Sequence, residues 1–453
     1  MPHAPDFAVT SQRVVTPEGE RAAAVLIKGE KILDVVSQHN IPEGCPVEDV
    51  GNDVVMPGLV DVHVHINEPG RTEWEGFETA TKAAASGGIT TLVDMPLNCI
   101  PVTTTLDALN SKIASTKNKL FVDCGFYGGL IPGNLNDIEP LARAGVLGFK
   151  TFMSHSGIDE FPKITEENIR KALPILAQHG ISLLVHAELE NCIEKTENLQ
   201  TYKSYLATRP KSWENEAIKL LIQLCREFQT PIHIVHLSSS DVLTEFAQAR
   251  EEGLPLSIET CPHYLHFTAE NIADGDTRFK CTPPIREAKN REKLWQGLQS
   301  GTIDFITSDH SPCTPELKKM DEGRFEKAWG GISSLQLTLP VIWTECINKG
   351  LSLNQLTNWM CSAPAKFIGM DHQKGQISLG YDADLVCWDP DSTFLVEPAI
   401  INFKNKLTPY EGESLYGIVN TTFLRGQKIY ENGKKFKEEN IEFIIVEIRC
   451  RFN

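Results

Sequence analysis

Apolar residues along the chain fall into short runs separated by polar, glycine-rich punctuation, and the character of the runs changes twice. Over residues 1–55 they are short and rich in branched side chains: AAAVLIKGEKILDVV sets β-forming residues on either side of a Gly-Glu turn. The same style returns after about residue 373, in KGQISLGYDADLVCWDP and TTFLRGQKIYENGKKF. The two ends, residues 1–55 and 374–453, are therefore expected to pair into one small composite β domain. Between them, residues 56–373 alternate strand-like and helix-like stretches, the signal of parallel β/α architecture. Eight strand-like runs can be counted: LVDVHVH, TTLVDMP, LFVDCGFYG, GVLGFKTFM, ISLLVHAE, PIHIVHLS, LPLSIETCPH and IDFITSDH. Eight is the number a TIM barrel needs. The helical stretch TEWEGFETATKAAAS stops at Gly87-Gly88, and ITEENIRKALPILAQH at Gly180, where a residue tolerant of positive φ is expected after the last turn. The expected fold is α/β, a (β/α)8 barrel with a small β domain built from both termini.

A β/α barrel carries its active site at the C-terminal ends of its strands, so the chemistry should lie where each run ends. The first run ends in His63-Val64-His65, the fourth carries Lys150, the fifth His186, the sixth His236 and the eighth Asp309. Period-two geometry puts His63 and His65 on one side of their strand, so both imidazoles can face one ion. Such a pair alone is weak; its convergence with His186 and His236 reads as a metal site. His233 competes with His236, which is preferred as nearer the strand end. Lys150 needs its own argument, because an ammonium has no lone pair and repels a cation. It is either an ordinary salt-bridged lysine or, after reaction with carbon dioxide, an anionic carbamate able to bridge two divalent ions. Two ions ~3.5–4 Å apart can hold a hydroxide and polarise a carbonyl, the machinery for hydrolysing an unactivated amide. Asp309 is then a ligand and proton shuttle. Its bland alternative is to cap the helix that follows Ser311-Pro312.

Composition narrows the partners. With 453 residues, 41% apolar and 23% charged, the chain exceeds one core and can bury a large one. The balance of 43 Lys+Arg against 60 Asp+Glu, net −17, disfavours nucleic acid and anionic membranes and leaves a small molecule as the expected partner. Twelve cysteines without a C-x-x-C pair fit a reduced compartment. Neither a secretory signal nor a membrane-length apolar run is seen, so an intracellular, soluble chain is expected, in the cytoplasm or an organelle such as a peroxisome or mitochondrion.

The segments MPGLVDVHVH, GFKTFM, LLVHAE, IVHLSS, ETCPHYL and TSDHSPC resemble the cyclic amidohydrolases: dihydroorotases, hydantoinases or dihydropyrimidinases, and allantoinases. The resemblance covers nearly the whole chain. It implies a barrel with a composite β domain, a homotetramer, a binuclear zinc-type centre and a carboxylated lysine. By motif, His63, His65, Lys150 and Asp309 would serve one metal, and Lys150, His186 and His236 the other. Dihydroorotases place a carboxylate-gripping arginine where this chain has Asn67, with Arg71 four residues on. NEPGRTEWEGF, KAWGGI at 327–332 and SGIDEFP at 156–162 are similar to the allantoinase branch, while Thr151-Phe152-Met153-Ser154 lacks the tyrosine that hydantoinases place after the lysine. The resemblance thus implies hydrolysis of allantoin to allantoate in purine (urate) catabolism, with a dihydropyrimidinase or hydantoinase, or a non-catalytic structural homologue, as alternatives. Asn67, Asn98, Ser308 and the Gly330-Gly331-Ile332 backbone are the implied substrate contacts. The tail EENIEFIIVEIRCRFN is unlike the polar tail of the family.

Overall fold

A computed structural model describes residues 4–190, 199–434 and 436. Five strands precede the barrel: β1 Phe7–Thr16, β2 Gly19–Lys28, β3 Lys31–Val36, β4 Val47–Asp49 and β5 Val54–Pro57. The turn between β2 and β3 sits at Gly29, whose φ of +58° a residue without Cβ adopts freely.

The barrel strands are β6 Leu59–Val64, β7 Ile89–Asp94, β8 Asp123–Phe126, β9 Gly128–Gly129, β10 Phe149–Phe152, β11 Leu183–His186, β12 Ile232–Ile234, β13 Leu256–Thr260 and β14 Phe305–Ile306. Each falls on one of the eight apolar runs, β7 starting one residue before its run and β9 ending one residue after, with β8 and β9 sharing a single run interrupted at Tyr127. Pairing is parallel within β6-β7-β8 and from β9 to β14. Leu147 N donates to Phe126 O at 2.9 Å and Gly128 N to Gly148 O at 3.0 Å, joining the two stretches. On the other side a bridge between Val64 and His310, with His65 N donating to His310 O at 2.8 Å, closes the ring. The result is a TIM barrel. Its strands are covered on both faces, which is why they read as continuous apolar runs rather than alternating ones.

Three more strands follow: β15 Leu385–Leu395, β16 Ser414–Leu424 and β17 Gln427–Glu431. The sheet runs β17-β16-β15-β5-β1-β2-β3, with β4 beside β1, so both ends of the chain contribute to it. The junction is antiparallel, Leu385 opposite Pro57 and Trp388 opposite Val54. Strand structure starts only at Leu385, later than the run KGQISLGYDADLVCWDP implies, because three of its polar residues are held in a buried ion cluster. Lys374 Nζ lies 2.8 Å from Asp123, 2.6 Å from Asp384 and 3.2 Å from Asp382, and Arg425 Nη1 donates to both oxygens of Asp123 at 2.5 and 2.6 Å. With Asp123 on β8, the cluster fastens sheet to barrel, and mutual pairing is what allows these charges to be buried.

The first expected helix begins later than its sequence implies, spanning Phe77–Ser86. Gly76, at φ +147°, breaks the chain before it, and Glu75 turns inward to His310 Nε2 at 3.2 Å. The second spans Glu166–Gln178, opened by a capping box between Thr165 and Asn168. Both end as expected, with Gly88 at φ +81° and Gly180 at +62°. Among the described residues no helix is long and apolar enough to cross a membrane. The atypical tail lies outside them.

Candidate metal centre

The six side chains expected to hold metal meet at the C-terminal ends of the barrel strands. His63 and His65 leave β6 on the same side, with ring centroids 5.5 Å apart. His63 Nε2 is 3.2 Å and His65 Nε2 3.5 Å from Asp309 Oδ1. His186 Nδ1 faces His236 Nε2 at 3.0 Å, and the His63 and His236 rings are 5.4 Å apart. Lys150, from β10, lines the same cavity as His65, His186, His236 and Asp309. All six are buried.

The donor set fits a divalent cation. His63 Nε2, His236 Nδ1 and Lys150 Nζ are buried polar atoms without a hydrogen-bond partner among the described residues. Buried polar atoms are seldom left so, and a cluster of them calls for a ligand. Ligand atoms of His63, His236 and Asp309 lie within 4.8 Å of one another; a second grouping, Cys261 with His263, shares Asp309. Burial pushes the His65 imidazole down to about 4 and lowers those of His186 and His236, so all three are neutral and offer lone pairs. Burial alone would raise the Asp309 carboxyl, but His63 and His65 outweigh it and hold it at about 2, an ionised oxygen donor. Burial brings the Lys150 ammonium down to about 8 against the pull of Asp309 and Glu259. A neutral amine, the form that attacks carbon dioxide, is thereby accessible near neutral pH.

Backbone strain marks the same place. Asn67, Asn98, His236 and Asp309 all have positive φ, at 67°, 64°, 41° and 43°. Non-glycine residues are held there at roughly 1–3 kcal/mol each, and such positions gather at functional sites. The left-handed turns also explain why β12 and β14 are short: both chains leave the extended form as they present His236 and Asp309.

Geometry bears on one alternative open at the sequence level, His233 against His236. His233 points away from the cluster, its Nδ1 2.8 Å from Ser257 Oγ and its Nε2 3.0 Å from Glu259. Glu259 is a residue that strand-end reasoning missed. Its other oxygen is 2.5 Å from His63 Nδ1 and 3.3 Å from the His236 amide, so one carboxylate orients two imidazoles and a turn. Burial raises its pKa, yet His63 and His233 outweigh that and hold it well below the usual carboxylate range. The legible signal was period two: Ser257 and Glu259 are alternate polar residues inside an apolar run. Glu188 plays the matching part for His186, accepting from Nε2 at 2.6 Å while paired with Arg209, and Phe152 stacks on His186 at 4.6 Å.

Of the expected substrate contacts, Asn98, Gly330 and Gly331 line the cavity. Asn98 Nδ2 is 3.3 Å from His65 Nδ1. Asn67, Ser308 and Ile332 lie behind that wall: Asn67 Nδ2 donates to Pro312 O at 3.3 Å, Ser308 Oγ to His63 O at 3.4 Å, and Ile332 O accepts from Ser311 N at 2.9 Å. Arg71 is committed elsewhere, 3.0 Å from Glu160 and stacked over Trp74.

Residues 54–429 match the model of the amidohydrolase family. The chain belongs to that family. Curated relatives of this amidohydrolase include the allantoinase of Streptomyces avermitilis, 48% identical over 95% of this chain and 96% of that one. The allantoinase of Arabidopsis thaliana is 47% identical over 96% and 90%, and that of Saccharomyces cerevisiae 44% over 94% and 96%. Among solved structures, the L-hydantoinase (dihydropyrimidinase) from Arthrobacter aurescens superposes with a TM-score of 0.87 at 33% identity, covering 94% of this chain and 97% of that chain.

Outer support is expected to matter for this centre. Glu259→Gln should retain the fold but lower divalent-metal affinity about 10- to 100-fold, the usual consequence of losing a carboxylate that orients a histidine ligand. Metal content after equilibrium dialysis against a graded chelator reads this directly, and retention equal to the parent protein would remove Glu259 from the role.

Proposed function

We infer that the chain hydrolyses the hydantoin-ring amide of allantoin to give allantoate. The observation that carries the reading is the full-length similarity to allantoinases, 44–48% identical, on a chain whose barrel mouth gathers every expected ligand type around one cavity. Gathering of the ligand types also disfavours a non-catalytic homologue.

In this reading His63, His65, Lys150 and Asp309 would hold one ion and Lys150, His186 and His236 the other, with Lys150 N6-carboxylated so as to serve both and zinc as the metal. Two divalent ions supply Lewis acidity, activating water and polarising the ring carbonyl. Asp309, ionised, accepts the proton of the attacking water and returns it to the ring nitrogen as the C–N bond breaks; the water oxygen stays in the new carboxylate. Asn98 and the Gly330-Gly331 backbone meet the ring across the cavity, while Asn67, Ser308 and Ile332 hold that wall and the strand ends in place. We further propose a homotetramer acting in purine (urate) catabolism. The relative from Aquarana catesbeiana is named a mitochondrial allantoinase, which makes an organelle a compartment to examine.

Substrate choice tests the reading. No arginine is among the described residues that line the cavity: the chain has Asn67 at the end of β6, turned to Pro312, and Arg71 is already paired with Glu160. Absence of a bidentate charge-assisted contact, worth ~1.5–3 kcal/mol, corresponds to roughly ten- to a hundredfold in kcat/KM. Allantoin is accordingly expected to exceed dihydroorotate by at least that factor in assays with defined metals. Equal values would refute the assignment, and a higher value for hydantoin or dihydrouracil would replace it with the dihydropyrimidinase reading.

A further inference from the structure

Trp329 forms part of the cavity wall together with Lys150, His186 and Asp309. Its ring is held from several sides. The Trp74 indole meets it edge-on with centroids 4.6 Å apart, and its six-membered ring lies so close to Gly157 that a Cβ there would stand 3.4 Å from Cη2. The backbone is fixed too: Trp329 N donates to Leu317 O at 2.8 Å, and its carbonyl accepts from Lys318 Nζ at 3.2 Å. The Nε1–H of this fixed ring is shielded from solvent and has no acceptor among the described residues. An indole nitrogen can only donate, and a buried donor without an acceptor is unfavourable unless something else supplies one.

The same cavity holds the complementary deficiency. Asn98 Oδ1 is a buried acceptor without a donor, while the Nδ2 of that side chain is taken up by His65. An unmet donor and an unmet acceptor call for a ligand offering a carbonyl and an N–H. Depth separates their targets. Asn98 is buried, with Nδ2 3.3 Å from the His65 imidazole, whereas Trp329 is partly exposed on the same cavity wall. The reacting ring amide must lie at the inner end, near Asp309. Allantoin's ureido group, attached to the ring carbon next to the reacting carbonyl, is the part left to extend outward.

We propose that Trp329 Nε1–H donates a hydrogen bond to the ureido carbonyl of the substrate, making Trp329 the residue that selects ureido-bearing hydantoins over bare hydantoin. This rests on the allantoin reading above and adds to it the contact that recognises the side chain. Bare hydantoin would leave the indole donor unpaired, and sites built around a polar contact discriminate most strongly against analogues that lack it.

The test uses the full-length, metal-loaded protein with allantoin and hydantoin, the latter read as a substrate or, if turned over slowly, through its Ki against allantoin. Trp329→Phe removes only the N–H and should lower kcat/KM for allantoin about 10-fold, mainly through KM, as loss of one well-placed hydrogen bond allows. The value for hydantoin should fall less than about threefold, so the preference narrows. Trp329→His restores a ring N–H and should recover part of it. Thermal melts check both folds, and Trp329→Leu substitutes for a Phe variant that does not fold. Parallel losses on both ligands, or an allantoin value within about twofold of the parent protein, would overturn the role of Trp329 alone. A parent protein that opens hydantoin but not allantoin would overturn the underlying reading as well.

Discussion

Replacement of Lys150 by alanine is expected to abolish ring hydrolysis, with part of the activity returning when a short carboxylic acid and divalent metal are supplied together. The expectation follows from a chemical contradiction at the strand end. Lys150 Nζ is fully buried beside three neutral imidazoles, with no hydrogen-bond partner among the described residues, and a cation there would repel any ions that the proposed reading assigns to those imidazoles. Burial brings its ammonium down to about 8, so a neutral amine is available to attack carbon dioxide; the N–C bond forms, a proton leaves to solvent, and the product is an anion with two ligand oxygens. Alanine removes the bridge but leaves a space that a small carboxylate can enter. Turnover and bound metal, measured with and without added propionate, read both halves of the expectation. A fully active Lys150→Ala protein would eliminate the carbamate.

Asp309→Asn is the second large effect. The carboxylate sits 3.2 Å from His63 Nε2 and 3.5 Å from His65 Nε2, and these neighbours keep it ionised throughout the working range of pH. Asparagine preserves the shape, so the barrel should melt close to its original temperature, yet it cannot take up a proton. General acid–base action contributes ~10²–10⁴-fold, and turnover should fall by that factor, with some metal lost because a neutral amide oxygen is a poorer ligand. Near-normal turnover with metal retained would mean that the proton travels by another route.

Why were these two residues visible in the sequence, and Glu259 not? A ligand at a strand end interrupts an apolar run at its boundary, where a polar residue stands out, and period two then says which neighbour shares its direction. His63, His65, His186, His236 and Asp309 were singled out in that way and Lys150 from within its run, and the strands that lead to them lie inside the runs that predicted them. Glu259 lies on β13, and the histidines it serves are 196 and 26 residues away in sequence. Period two marks Glu259 as a polar residue inside its run, but no local pattern records which distant histidines it faces. The preference for His236 over His233 rested only on nearness to the strand end, because what faces each ring comes from the adjoining strand. Residues 72–76 were misread as helical because the count of helix-forming side chains there cannot register Glu75 turning toward His310, 235 positions on. Trp74 and Trp329 likewise meet across 255 residues.

The antiparallel junction between β5 and β15 has a bearing on how the chain is made. Pro57 leaves the ribosome 385 − 57 = 328 residues before its partner Leu385. At ~5–20 residues per second, translation takes roughly 15–65 s to span that gap. Throughout it, Val54, Val55 and Met56 present an apolar strand edge without its neighbour, the kind of edge that recruits other chains. The barrel segments emerge during the same interval, so the sheet closes only after them, and the Lys374–Asp123–Arg425 cluster becomes a latch that cannot set before Arg425 has emerged. Nascent chains stalled before residue 385 should therefore engage holding chaperones far more than chains released after residue 431.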